Sequence, residues 1–218
     1  MSSRDLVRSY FDREARRFDA IYEADKPALQ RLVDRLFRGV VLERFRLIGA
    51  LAPQPGAWTL LDVGCGPGRY ALALAQAGAS RVLGIDVSAP MIEIAREEAA
   101  RAGLAGRCSF QVSAFADFAS QERFDVAVAT GYFDYLEDPL PDLGKMLALT
   151  RGRVFASFPK RWEWRVPTRK LRFWLAGGFV RFYDRREVVA LFAAAGLPPE
   201  RLALVDLGRD FLAVARVG

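Results

Sequence analysis

Residues 60–68 read Leu60-Leu61-Asp62-Val63-Gly64-Cys65-Gly66-Pro67-Gly68. An apolar, strand-like run enters three glycines at alternate positions, and a helical pattern follows from Arg69. Glycine there lets the backbone turn sharply and lets a ligand sit against bare main chain. A glycine turn between a strand and a helix N-terminus is a cradle for a nucleotide-type ligand. About twenty residues past such a turn, an acidic residue at the end of the next strand can accept hydrogen bonds from two ribose hydroxyls. Asp86 holds that place in Gly84-Ile85-Asp86-Val87-Ser88. Its competing role is to cap the following helix, but Ser88 already supplies that cap. The glycine spacing also discriminates. Dinucleotide-binding chains use G-x-G-x-x-G, with the last glycine packing helix on strand. Here that position is Arg69, and the third glycine comes one residue earlier, at Gly68.

The rest of the composition removes chemistries. The chain of 218 residues contains no histidine. That excludes a Ser-His-Asp triad, a histidine general base and histidine-bound zinc. Cys65 and Cys108 are the two cysteines, too few for a disulfide or metal framework, and both read as small space-fillers. The net charge of +6 comes from 32 basic residues, of which only four are lysines (Lys26, Lys145, Lys160 and Lys170). An arginine- and alanine-rich composition without a compact basic recognition helix argues against a nucleic-acid partner. A 52% hydrophobic and 27% charged chain fits a soluble globular protein of one domain, 1–218. Met1 to Asp12 is charged and lacks the apolar core of a signal peptide, and no run is apolar for long enough to span a bilayer, so a cytoplasmic location is expected.

The elements that must position Gly64–Gly68 and Asp86 follow from periodicity. Helical spacing covers 4–23 and about 27–51, with Pro27 at a helix start, and the pair forms an N-terminal cap over 1–52. Pro53, Pro55 and Gly56 then break the chain. From Thr59 strands and helices alternate: strand 59–63, helix 68–77, strand 81–85, helix 89–102, strand 109–112, strand 124–129, helix 139–149 and strand 154–158. This alternation predicts an α/β fold, a three-layer, doubly wound sheet covered on both faces, with 57–159 as the ligand-binding core. Residues 183–218 add helix 184–195 and two strand-like runs, 201–207 and 211–217, separated by Gly208. Strands that close cannot be joined by a right-handed crossover, so one edge of the sheet is expected to be antiparallel.

With these motifs in place, the chain resembles the class I S-adenosylmethionine-dependent methyltransferases over roughly Thr59 to Val217. Leu61-Asp62-Val63-Gly64-Cys65-Gly66-Pro67-Gly68 and Gly84-Ile85-Asp86-Val87-Ser88 are the most specific parts of the match. Ala89-Pro90-Met91 continues the second motif, and Phe124-Asp125-Val126-Ala127-Val128-Ala129 resembles the family's fourth strand. The resemblance implies a Rossmann-like sheet of seven strands, mostly parallel, with the last strand inserted antiparallel. It implies S-adenosyl-L-methionine as cofactor, with the backbone of Gly64, Cys65, Gly66 and Gly68 facing its methionine portion and Asp62 acting on its amino group. Asp86 would hold the ribose, Val87 and Met91 would pack on the adenine, and Thr130 and Gly131 would line the site near the sulfonium. The family often has an aspartate at the end of the third strand for the adenine amino group. This chain has Ser113-Ala114-Phe115 there, so backbone groups of Ala114 and Phe115 are expected at the adenine edge.

The acceptor side is read from composition. After the fourth strand, where relatives often place a histidine, this chain has Asp134 and Tyr135, the candidate catalytic pair; a carboxylate against an aromatic wall can serve as a base. Residues 160–182 hold seven basic residues against Glu163, interleaved with Trp162, Trp164, Phe173, Trp174, Phe179 and Phe182. This basic and aromatic insertion before the last helix suits an anionic aromatic or amphipathic small molecule, or peripheral contact with an anionic membrane. Tyr10, Tyr22, Trp162 and Arg165 are the candidate substrate contacts, the first two on a lid over the cofactor. The expected reaction is O-methylation. Two other readings stand beside it: a binding or membrane-associated protein on an inactive scaffold of this kind, and an NAD-dependent oxidoreductase, against which Arg69 and the terminal hairpin count.

Overall fold

The computed structural model describes residues 7–12, 43–53, 57–161 and 179–218. The chain is helical at 7–12 (α1) and 43–51 (α2). Then come β1 (Thr59–Val63), α3 (Arg69–Gln76), β2 (Arg81–Asp86), α4 (Ala89–Arg101), β3 (Cys108–Val112), β4 (Phe124–Ala129), α5 (Leu140–Ala148), β5 (Thr150–Pro159), α6 (Arg185–Ala194), β6 (Leu202–Asp206) and β7 (Asp210–Arg216). The seven strands form one sheet in the order β3-β2-β1-β4-β5-β7-β6. All neighbouring pairs are parallel except those made by β7, which runs antiparallel between β5 and β6. The antiparallel strand therefore lies inside the sheet, and β6, not β7, forms the edge.

Alternation along the central strands splits the core between two faces. Leu61, Val63, Ala127 and Ala129 point toward α5 and α6, where Phe133, Phe158, Val188 and Phe192 fill the space. Leu60, Val126 and Val128 point the other way, onto α2, α3 and α4 through Ile48, Leu74, Ile92 and Ala95. Ser88 caps α4, accepting from the Met91 N–H, and Asp184 and Glu187 close a reciprocal capping box on α6.

Two expected boundaries are corrected. β5 begins at Thr150 rather than Val154. The polar segment Thr150-Arg151-Gly152-Arg153 carries no apolar alternation, but it pairs with β4 through a register shift between Phe124 and Val126. Gly152 makes that possible, because a Cβ there would lie 2.4 Å from the Asp125 carbonyl oxygen. The helix placed at 68–77 begins at Arg69, with Gly68 as its left-handed cap. Most of the helical reading over 4–23 and 27–51, and Tyr22, Trp162 and Arg165 with the 162–178 segment, lie outside the described residues.

Candidate functional site

The strand order reverses between β1 and β4, and in doubly wound sheets ligands bind at the carboxyl ends of the strands beside such a reversal. The glycine turn leaves β1 at that edge. Gly64, Gly66 and Gly68 all have positive φ, at 67°, 52° and 78°. The Gly64 and Cys65 N–H groups both donate to the Ile85 carbonyl, at 2.8 and 3.0 Å, which ties the turn to the end of β2. A Cβ on Gly66 would meet nothing within 4 Å, so the turn presents open space beside bare backbone. Cys65 faces inward instead. Its sulfur would lie 2.9 Å from a Cβ on Gly84, and burial pushes its thiol well above the ordinary range, as a space-filler requires.

Asp86 does more than end β2. Its Oδ2 accepts the Gly66 N–H and its Oδ1 accepts the Ser88 N–H, each at 2.9 Å. The carboxylate thus links the glycine turn to the start of α4 while its remaining lone pairs are available for hydroxyl donors. Burial raises its pKa and the backbone N–H groups of Ser88, Gly66 and Val87 oppose that rise. Asp62 lies beneath the turn, 1% exposed, and accepts the Ala71 N–H at 3.0 Å. Burial, and secondarily the charge of Asp86, lift its carboxyl to about 7 against the Ala71 hydrogen bond.

This shift sets a pH dependence. A carboxyl whose folded pKa exceeds its unfolded value binds more protons in the folded state, so stability falls as pH rises between the two values. For Asp62 the window runs from its ordinary 3.8 to about 7. The unliganded protein is expected to lose melting temperature across that window, and Asp62→Asn to flatten the slope. Differential scanning fluorimetry from pH 5 to 8 checks this; parallel slopes for wild type and variant would refute it.

The remaining residues singled out in the sequence fall on the same edge. Met91 is buried under the start of α4, and Val87 is half-buried beside Asp86. Phe115 packs into the core with Ala114 half-buried before it. Thr130 and Gly131 follow β4, and the Gly131 N–H donates to the Ser157 hydroxyl at 2.8 Å. Asp134 is 5% exposed on a short turn of 3-10 helix over Phe133–Tyr135, and its carbonyl accepts the Arg181 N–H. Tyr135 meets the Phe11 ring edge-on at 5.2 Å, and Tyr10 is buried beside Phe11. α1 therefore covers this edge, fastened also by the Ser88 hydroxyl donating to Asp12 at 2.6 Å.

Several participants were not evident from the motifs. Tyr132 packs against Gly64 and donates its hydroxyl to Asp142 at 2.6 Å. Lys145, one helical turn further along α5, donates to the Phe115 and Ala116 carbonyls at 2.6 and 2.9 Å and lies over the Phe115 ring. One face of α5 thus braces two walls of the cradle, the loop after β4 and the loop after β3. The Phe115 carbonyl is thus engaged within the protein, as are the Ser113, Asp117 and Phe118 N–H groups of this loop. A lysine in a chain that otherwise uses arginine was the available signal: two carbonyls converging on one point suit a compact ammonium better than a planar guanidinium.

The sheet order, the inserted antiparallel strand and the cradle at the reversal together define the Rossmann-like class I methyltransferase fold. Residues 60–151 match a family model described as a methyltransferase domain. Among curated proteins it is 32% identical over 114 residues to the tRNA1(Val) (adenine(37)-N6)-methyltransferase of Phocaeicola vulgatus, covering 52% of this chain and 48% of that protein. It is 34% identical over 106 residues to the ubiquinone biosynthesis O-methyltransferase of Actinobacillus pleuropneumoniae serotype 5b, covering 45% and 44%. The chain thus spans about half the length of the curated relatives it matches. Among solved structures, magnesium protoporphyrin IX methyltransferase from Synechocystis PCC 6803 with bound SAH superposes over 99% of both chains, with a TM-score of 0.79 and 20% identity, a likeness of fold.

Proposed function

We propose that this protein transfers a methyl group from S-adenosyl-L-methionine to an oxygen of a small anionic aromatic or amphipathic molecule, with a carboxylate on a tetrapyrrole-like acceptor as the leading case. The observation that carries the cofactor is the open glycine cradle with a buried carboxylate, Asp62, beneath it and a half-buried one, Asp86, beside it. These residues fit the group: Gly64, Cys65, Gly66 and Gly68 would hold its methionine end, Asp62 its ammonium and Asp86 its ribose, with Val87, Met91 and the Ala114–Phe115 backbone around the adenine. When bound, S-adenosylmethionine supplies a methyl group activated by its sulfonium. The protein's contribution is alignment of the acceptor oxygen in line with that methyl, away from water.

The acceptor class is supported by acid–base chemistry. A phenol must lose its proton to become a good nucleophile, and the chain has no histidine to take it. A carboxylate is already ionised near neutral pH and needs no base. In this reading Asp134, Tyr135 and Tyr10 shape and orient the acceptor side, with Tyr22, Trp162 and Arg165 completing it, and no proton transfer is required. The full-length likeness to a porphyrin methyltransferase points the same way. The membrane reading gains less, because Lys160 pairs with Asp206 and Arg161 with Glu187 inside the fold. No helix among the described residues is long and apolar enough to cross a bilayer.

The test offers the purified protein methyl-labelled cofactor with a porphyrin dicarboxylate, a catechol and unmodified tRNA in separate reactions. Label is expected on the porphyrin in a form released by mild alkali, as an ester is and an aryl ether is not. Label on tRNA or only on the catechol would overturn the acceptor assignment. Failure to bind S-adenosylhomocysteine by calorimetry would overturn the cofactor assignment itself.

A further inference from the structure

The far end of the 160–182 segment is bonded to the turn that carries Asp134 and Tyr135. Three main-chain carbonyls of this turn accept from Arg181 and Tyr183. The Tyr183 hydroxyl donates to the Phe133 carbonyl at 2.9 Å, the Arg181 N–H to the Asp134 carbonyl at 2.7 Å, and Arg181 Nη1 to the Glu137 carbonyl at 2.8 Å. Tyr183 is itself fixed. It is 1% exposed, its N–H donates to the Pro159 carbonyl, and its carbonyl accepts the Arg161 N–H. The Arg181 guanidinium lies over its ring, 5.2 Å from the centroid. An arginine ordinarily gives up much rotamer freedom when it takes a ligand; here the fold has already fixed it.

What this anchoring leaves over is the charge. Lys160 pairs with Asp206 and Arg161 with Glu187, so the two described cations at the near end of the segment are neutralised. Arg181 is also engaged, but differently. Asp134 and Glu137 offer it main-chain oxygen, and no carboxylate among the described residues pairs with its guanidinium. The Glu137 carbonyl takes one of the five N–H donors of the group, and the ring beneath it takes none. A half-buried, pre-positioned guanidinium with spare donors and no counter-charge is the complement of a carboxylate, gripped by two parallel N–H bonds. Phe179, 38% exposed, stands two residues before it in the chain. An apolar body with an anionic arm matches this pairing.

We propose that Arg181 holds a carboxylate of the methyl acceptor other than the one that is methylated. The inference rests on the acceptor reading above and narrows it to molecules with two anionic groups. The two groups must differ for a chemical reason. A bidentate guanidinium draws electron density from both oxygens of the carboxylate it binds, which makes that group a poorer nucleophile. Arg181 therefore suits an anchoring carboxylate, while the reacting one keeps a lone pair in line with the methyl group. Because Arg181 is tied to the turn of Asp134 and Tyr135, the spacing of the two groups on the acceptor decides which molecules are methylated.

Methyl-transfer kinetics with two acceptors test the proposal: a porphyrin dicarboxylate, and a porphyrin monocarboxylate that keeps the ring and one reactive group. Arg181→Gln retains a donor for the Glu137 carbonyl and removes the charge. It is expected to raise KM for the dicarboxylate about 10- to 100-fold, the worth of a charge-assisted pair, with kcat little changed. Wild type should use the monocarboxylate about as poorly as Arg181→Gln uses the dicarboxylate, and the variant should lose nothing further on it. Arg181→Lys keeps the charge without the planar fork and should fall between. Unchanged S-adenosylhomocysteine binding by calorimetry in both variants reports that the cradle is folded. Equal KM increases for the two acceptors would make Arg181 a tie for the turn alone and overturn the proposal, as would an unchanged KM for the dicarboxylate. Wild type that binds S-adenosylhomocysteine but methylates neither porphyrin would overturn the acceptor reading and this inference with it, and leave the cofactor assignment standing.

Discussion

Asp86→Ala is expected to lose S-adenosylhomocysteine affinity by about 100-fold or more, a larger effect than removal of one ligand contact would give. The reason lies in the double use of the carboxylate. It is placed to accept from ribose hydroxyls, and it already accepts the Gly66 and Ser88 N–H groups. Alanine removes the ligand contact, frees the glycine turn from the end of β2 on one side, and strands two backbone donors in partly buried positions. Asp86→Asn retains one acceptor oxygen and should fall between wild type and alanine. The thermal stability of the unliganded alanine variant should drop by about 1 to 3 kcal/mol, the cost of unmade hydrogen bonds at a loop anchor. Calorimetry and melting curves on the three proteins test both parts. Binding by the alanine variant within threefold of wild type would sink the assignment of Asp86 as the ribose ligand.

How much of this was legible in the sequence divides along a physical line. The glycine turn, Asp86 and the Ser88 cap are local features: each depends on residues within a few positions, and each is found where the motifs put it. The alternation of strands and helices is also local, and it led to the correct sheet class. The β5 start was missed because its first residues pair by backbone register and a missing side chain at Gly152, neither of which leaves an apolar pattern. The parts of the site that were not legible are those made by contacts distant in the chain. Lys145 is 30 residues from the carbonyl it holds. Such a residue looks like an ordinary solvated charge until the fold brings it to this edge. The three basic residues of the 160–182 segment that are described, Lys160, Arg161 and Arg181, show the reverse case. They read as part of a basic and aromatic insertion suited to an anionic acceptor or an anionic membrane, yet each is engaged within the fold, with Asp206, with Glu187 and with the Glu137 carbonyl.

Gly64→Ala tests whether the cradle is a rigid receptor or a turn that adapts. A non-glycine residue at φ 67° carries about 1 kcal/mol or more of backbone strain. The added Cβ would also lie 2.8 Å from Cδ2 of Tyr132, closer than real contacts allow. A loose aromatic would rotate away at little cost. Tyr132 is not loose, because its hydroxyl is bonded to Asp142 at 2.6 Å and its ring meets Phe115 and Phe133 edge-on. The strain must therefore pass either into the turn, moving the backbone that faces the cofactor, or through Asp142 into α5, the helix whose Lys145 holds the loop after β3. Either path spoils the receptor, so the expected outcome is a loss of S-adenosylhomocysteine binding of about 100-fold and a lowered melting temperature, of about 2 to 4 kcal/mol in stability. Tyr132→Ala introduced on top of Gly64→Ala supplies the discriminating measurement. It removes the clash and leaves the backbone strain, so the stability lost in the double variant should be smaller than the sum of the losses in Gly64→Ala and Tyr132→Ala alone, while binding stays weak. Recovery of full affinity in the double variant would mean that the left-handed turn itself contributes nothing to cofactor recognition, and that the glycine is there only to make room for the tyrosine.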